Sequence, residues 1–266
     1  MIDFCHIVPT AHLEDFDSRS RSYLVLQHEC ENSPAYCSFF EKSPKYKILD
    51  NGAYEKGYPT PLPQLLHFAD KIKAQEIVIP DVFQEAHYTL THFTDFERYV
   101  MESPAIRKKF NFMAVPQGKT PEEYLKCLDV MLASPHVDTI GLSFIVIRDA
   151  FKAHTGFEDI MRNRLFITNL LSFANRKGKK FHLLGMGNPL ELKYQVKHHW
   201  IRSADSSTCF VHGSNHIRFD KTLGLPEAHR VTKKLDFNTE LQRVGIDWAR
   251  IFDNMEVIDG FLRQYS

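Results

Sequence analysis

The chain has 266 residues, 43% of them hydrophobic and 25% charged, with 33 basic and 33 acidic side chains in balance. That composition excludes a disordered, fibrous or membrane-embedded chain. The zero net charge excludes a protein drawn onto polyanions by its global field, so any nucleic-acid contact must use a local patch. No apolar run approaches the roughly 18 residues of a bilayer span, and Asp3 stands where a signal peptide would carry basic residues. No membrane contact and a cytoplasmic location are expected.

The five cysteines, Cys5, Cys30, Cys37, Cys127 and Cys209, form no CxxC pair and read as reduced thiols. Cys209, His212 and His216 have a C-x2-H-x3-H spacing that would hold a metal only if a fourth ligand came from elsewhere. Chance placement among 14 histidines is the other reading, and no metal or cofactor is expected.

Eight short apolar runs follow one another along the chain: Phe4 to Val8, Tyr23 to Gln27, Tyr46 to Leu49, Glu76 to Ile79, Phe112 to Val115, Thr139 to Phe144, Phe181 to Leu184 and Ile201 to Ala204. Helical patterns lie between them. Leu62, Leu65, Leu66, Ala69 and Ile72 mark one buried helix face. Thr120-Pro121-Glu122-Glu123 supplies an N-cap, a proline in the first turn and a capping-box glutamate, and Asn188-Pro189-Leu190-Glu191 repeats the device. Eight strand–helix units predict a single (β/α)8 TIM barrel over residues 1–266, of the α/β class. The rival open sheet would carry a Gly-rich phosphate loop, and neither G-x-G-x-x-G nor G-x-x-x-x-G-K-[ST] occurs.

Chemistry in such barrels sits at the C-terminal strand ends. There the chain places Asp50-Asn51-Gly52-Ala53-Tyr54-Glu55, Pro80-Asp81, Pro116-Gln117-Gly118, Gly141-Leu142-Ser143, Gly185-Met186-Gly187 and Ala204-Asp205-Ser206. Each aspartate also has a local reading: Asp50 in a turn, Asp81 after a proline bend, Asp205 as a helix cap. Together, three like charges on one rim raise one another's pKa unless a ligand exploits them. Paired carboxylates suit displacement at a sugar carbon, one as nucleophile and one as acid and base. A third, with Gln117 and the Gly141 backbone, suits the donor and acceptor edge of a guanine-like base. Tyr54 and Met186 would plate its two faces.

The ordered motifs Leu49-Asp50-Asn51-Gly52-Ala53-Tyr54-Glu55, Pro80-Asp81, Val115-Pro116-Gln117-Gly118, Ile140-Gly141-Leu142-Ser143, Leu184-Gly185-Met186-Gly187 and Ala204-Asp205-Ser206 resemble the tRNA-guanine transglycosylase superfamily. The resemblance implies Asp205 as the nucleophile at C1′ and Asp50 as general acid and base. It implies Asp81 on the pyrimidine edge of guanine, with Gln117 and Gly141 at its oxygen and Tyr54 and Met186 as the sandwich. Gly118, Leu142, Ser143 and Gly185, carried in the same motifs, are expected at the base site. The departures are Glu55 for the usual Gln, Asn51 for the usual Ser, and Ser206-Ser207-Thr208-Cys209-Phe210 for a Pro-Thr-Arg run. The family's C-x-C-x2-C zinc motif is also missing beyond Asp205.

A compact, zinc-free relative looks most like the phage-type DpdA proteins, which implies exchange of guanine in DNA for a free 7-deazaguanine in a host cytoplasm. The alternatives are tRNA as substrate, a non-catalytic nucleobase-binding subunit, and a metal-dependent hydrolase. For polynucleotide contact the sequence offers Arg162, Arg164, Arg176, Lys177, Lys179 and Lys180, and a second cluster of His212, His216, Arg218 and Lys221. A homodimer is compatible with the reading.

Overall fold

The computed structural model describes residues 2–225, 231 and 246–263. Eight strands, β1 (Asp3–His6), β2 (Ser22–Leu26), β3 (Tyr46–Asp50), β4 (Glu76–Val78), β5 (Asn111–Ala114), β6 (Thr139–Ser143), β7 (Lys180–Leu184) and β8 (Ile201–Ser206), pair in parallel from β2 through β8 and back to β1. Among the described residues no ladder joins β1 to β2, but Cys5 Sγ and Ser22 Oγ lie 3.3 Å apart across that seam. The result is a nearly closed (β/α)8 barrel, as the alternation of apolar runs and capped helices predicts. All eight expected strands are present, with ends shifted by a residue or two. No helix among the described residues is long and apolar enough to cross a membrane.

The strands alternate between two apolar environments because successive side chains point to opposite faces. Phe4, Val25, Leu49, Ile77 and Phe112 join the large core under the helices, while their neighbours Cys5, Leu24, Ile48, Val78 and Met113 form a small cluster inside the barrel. Below that collar the floor is polar: the Tyr46 hydroxyl donates to Glu76 Oε2 at 2.9 Å, and Arg202 Nη2 donates to the same oxygen at 2.5 Å.

Two local features aim the mouth. The β7–β8 pairing runs from Phe181↔Ile201 to His182↔Ser203 and skips Arg202, a bulge. It turns Arg202 toward the floor and lets Ser203 and Asp205 share the interior with His182. On the outer side, Arg164 in the helix Ile160–Phe173 is completely buried. Its guanidinium forks onto Glu191 at 2.7 and 2.8 Å, and Nη1 donates to the carbonyls of Leu142 at 3.0 Å and Leu184 at 2.9 Å. The helix is thereby stitched to the outgoing ends of β6 and β7.

Arg164 is therefore a packing element, not a member of a phosphate-tracking patch. A helical pattern suggests a solvated cation here; its partner Glu191 comes 27 residues later and is not visible in local spacing. Arg164→Leu leaves Glu191 buried and uncompensated, with an expected loss of about 3–5 kcal/mol in the urea unfolding free energy. Adding Glu191→Leu to that variant should recover part of the loss.

Candidate functional site

A cavity of about 540 Å³ opens at the C-terminal ends of the strands. Asp50, Tyr54, Asp81, Gln117, Ser143, Gly185, Met186, Asp205 and His212, all anticipated from sequence, line it. Its volume lies in the usual range for small-molecule sites.

Asp205, near the end of β8, is buried and tightly held. Oδ1 accepts from His182 Nε2 at 2.9 Å and from the Gly185 amide at 3.0 Å. That amide belongs to the same peptide unit as the Leu184 carbonyl that Arg164 grips. In a trans peptide C=O and N–H point in opposite directions, so the outward pull on the carbonyl aims the N–H at Asp205. Gly185 takes φ +66°, and a Cβ there would lie 2.5 Å from the Phe144 ring, so only glycine fits.

Asp50 ends β3, and its Oδ2 accepts the Gly52 amide at 2.8 Å. Gly52 sits at φ +73°, the left-handed turn that returns this N–H to the carboxylate. Burial chiefly, then the facing Glu55, with smaller contributions from Asp81 and Asp205, push Asp50 up to about 8 against the opposing Gly52 bond. Its carboxyl therefore keeps its proton at neutral pH.

Asp81 is buried between two amides: Asn51 Nδ2 donates to Oδ1 at 2.6 Å and Gln117 Nε2 to Oδ2 at 2.5 Å. Burial raises it to about 6, and the two amide bonds hold it from going higher. The Gln117 carbonyl oxygen accepts the Gln84 amide at 2.8 Å, which fixes the amide's orientation. Each Asp81 oxygen retains a second lone pair for an incoming donor.

Tyr54 is half-exposed at the rim and meets Phe83 edge-on, ring centroids 5.7 Å apart. Phe83, Phe144 and Met186 complete an apolar wall. Three expected residues do not line the cavity. Leu142 packs in the outer core, with its carbonyl taken by Arg164. Gly141 faces the barrel interior, where a Cβ would meet Leu184 at 2.7 Å, and Gly118 lets its loop approach the Tyr124 backbone, where a Cβ would meet N at 2.5 Å.

Of the basic residues, Arg176 and Lys177 precede β7 and so lie at the opposite end of the barrel from the cavity. The Arg176 guanidinium stands over the Trp200 ring at 5.0 Å. Arg218 pairs with Asp253, and Lys221 is exposed on a turn closed by the Asp220–Gly224 bridge. His212 is buried in the cavity wall, its Nδ1 2.9 Å from the Thr208 carbonyl. Cys209 faces the core while His216 is exposed beside Asp247, so the C-x2-H-x3-H spacing does not converge. No cluster of metal-ligating side chains occurs among the described residues.

Asn51, singled out in sequence only as a departure from the resembled motif, and His28, Phe83, Phe144, His182 and Ser203, with no site role assigned from sequence, belong to the site or its support. The first four lie close to strand ends, which makes them candidates by position. His182 and Ser203 lie within strands, where only inward or outward parity would single them out. No family model matches the chain, and no curated protein matches it in sequence.

The raised Asp50 has a measurable consequence. Between its ordinary value of 3.8 and about 8 the unfolded carboxylate is ionised while the folded one keeps its proton. The folded state then binds more protons, so this group's contribution makes stability fall as pH rises across that window. Asp50→Asn removes the contribution. The variant's urea midpoint should gain on the wild type from about pH 4 to about pH 8 and level off above.

Proposed function

We propose that the protein is a DNA-guanine transglycosylase that exchanges guanine in DNA for a free 7-deazaguanine such as 7-cyano-7-deazaguanine. The observation that carries this reading is that one cavity holds Asp50, buried with a single backbone donor and raised in pKa, and Asp205, anchored by two N–H donors. A carboxyl raised in pKa that shares a cavity with a second one held by hydrogen-bond donors suits an acid–nucleophile division of labour.

In the first displacement Asp205 forms a bond to C1′ as the C1′–N9 bond breaks. The electron pair leaves with guanine, which takes the Asp50 proton. In the second, the incoming base gives its N9 proton to Asp50 and its nitrogen displaces the Asp205 ester, restoring both carboxyls. Two inversions retain configuration at the sugar, and no external energy source is needed.

Asp81, with two preset amide neighbours, would accept the N–H donors on the pyrimidine edge of the base, and Tyr54, Phe83 and Met186 would cover its faces. DNA is preferred to tRNA because the zinc motif of the resembled tRNA enzymes is missing from the sequence. A guanine in duplex DNA must first be flipped out, at a cost of a few kcal/mol.

The test is transfer of radiolabelled guanine into DNA and, in parallel, into tRNA, with Asp205→Asn as control. Label in DNA that vanishes in Asp205→Asn supports the reading. Label in tRNA alone moves the substrate to tRNA, and tight base binding without label in either polymer points to a silent nucleobase-binding subunit. The pH profile provides a second check. Exchange should rise as Asp81 ionises near pH 6 and fall as Asp50 loses its proton near pH 8. Asp50→Asn should reduce exchange at least about 100-fold across that range.

A further inference from the structure

Beneath Asp205 a line of hydrogen-bonded side chains runs down to the barrel floor. Arg202 Nη2 is tied to Glu76 at the barrel floor, and Arg202 Nε donates to Ser203 Oγ at 3.4 Å. The Ser203 hydroxyl stands 2.7 Å from His182 Nδ1, and His182 Nε2 stands 2.9 Å from Asp205 Oδ1. A Ser203 oxygen that accepts from the Arg202 guanidinium can turn its proton to Nδ1. An imidazole that accepts at Nδ1 carries its hydrogen on Nε2, facing the carboxylate. His182 is completely buried and does not line the cavity, so it does not touch a bound substrate.

We infer that His182 is the positioning residue of Asp205, and that Ser203 and Arg202 fix the tautomer it needs. The inference rests on the transglycosylase reading above and names a residue to which that reading assigned no role. Two donors on Oδ1, the imidazole and the Gly185 amide, hold the carboxylate plane. Oδ2 has no hydrogen bond among the described residues and is the oxygen available for attack on C1′. A side chain that orients a reacting group from behind acts on the chemical step and not on ligand affinity.

The experiment compares His182→Gln with His182→Asn. A glutamine amide reaches the place of Nε2 and can still donate to Asp205, whereas an asparagine amide reaches only the place of Nδ1 beside Ser203. Both are polar and of similar bulk, so the pair compares donor position at nearly constant composition. Two quantities are read: the rate at which protein and guanine-containing DNA form a covalent adduct, and the KM for 7-cyano-7-deazaguanine in exchange. His182→Asn should slow adduct formation about 10–100-fold, as loss of an orienting partner does elsewhere. His182→Gln should be at least about threefold faster than His182→Asn, with KM within about twofold of wild type in both.

Wild-type transfer with the two variants equally fast, or with KM and rate lost in parallel, overturns the inference and leaves the transglycosylase reading standing. A wild-type protein that forms no adduct and moves no label overturns that reading, and the inference falls with it.

Discussion

Arg164 divides its donors among Glu191 and the carbonyls of Leu142 and Leu184, and this division sets the geometry of the mouth. A buried ion pair is a weak stabiliser, since desolvation cancels much of the attraction. Well-packed leucines could fill the same space, but they could not hold two carbonyls. One peptide unit, Leu184–Gly185, carries the effect through the sheet: its oxygen is bound on the helix side and its N–H on the cavity side. The positive φ of Gly185 and its contact with the Phe144 ring leave that unit little room to rotate. The nucleophile candidate on β8 is thus oriented partly by an arginine on the far side of the sheet.

The interior of the barrel adds a second constraint. An apolar collar of Leu24, Ile48, Val78, Met113 and Val115 separates the mouth from the floor. A charge in such surroundings is expensive unless donors surround it. Asp205 receives two, Asp81 receives two from side-chain amides, and Asp50 receives one backbone N–H while facing Glu55. On the β7–β8 side, His182 and Ser203 link the polar floor to Asp205.

The barrel was legible because its strands are buried on both faces and read as apolar runs, while the helices announce themselves by their caps. Thr120 shows this well: its hydroxyl accepts the Glu123 amide at 3.3 Å, although the glutamate reaches back to the Lys119 amide at 2.8 Å and not to the cap residue. The cavity carboxylates were legible because strand ends are identifiable positions. Two kinds of residue were not. His182 and Ser203 depend on which way a strand faces, and the bulge at Arg202 breaks the period-2 rule there: both Arg202 and Ser203 turn inward. Arg164 depends on Glu191, a partner that only the packing of two helices reveals. Asn51, read as a departure within a turn motif, instead bridges the Ile79 carbonyl at 2.8 Å and Asp81 at 2.6 Å.

Asp50, Asp81 and Asp205, which share the cavity wall with Glu29 and Glu55, also explain how a single proton can be assigned. Burial first, and then repulsion from the neighbouring carboxylates, disfavours a charge on Asp50, which has a single donor and faces Glu55, so the proton is favoured there. Under the proposed exchange this arrangement conserves charge. When Asp205 becomes an ester its negative charge leaves the cavity, and the repulsion it exerted on Asp50 leaves with it. In the same step the departing base takes the Asp50 proton, so a carboxylate appears on β3 as one disappears on β8. The summed charge of protein and base stays constant, and the surrounding dipoles need little reorganisation, which is the condition under which a preorganised site lowers a barrier most. The burial and, after it, the repulsion that work against folding at neutral pH are then what favour a proton on Asp50 in the same cavity as the proposed nucleophile.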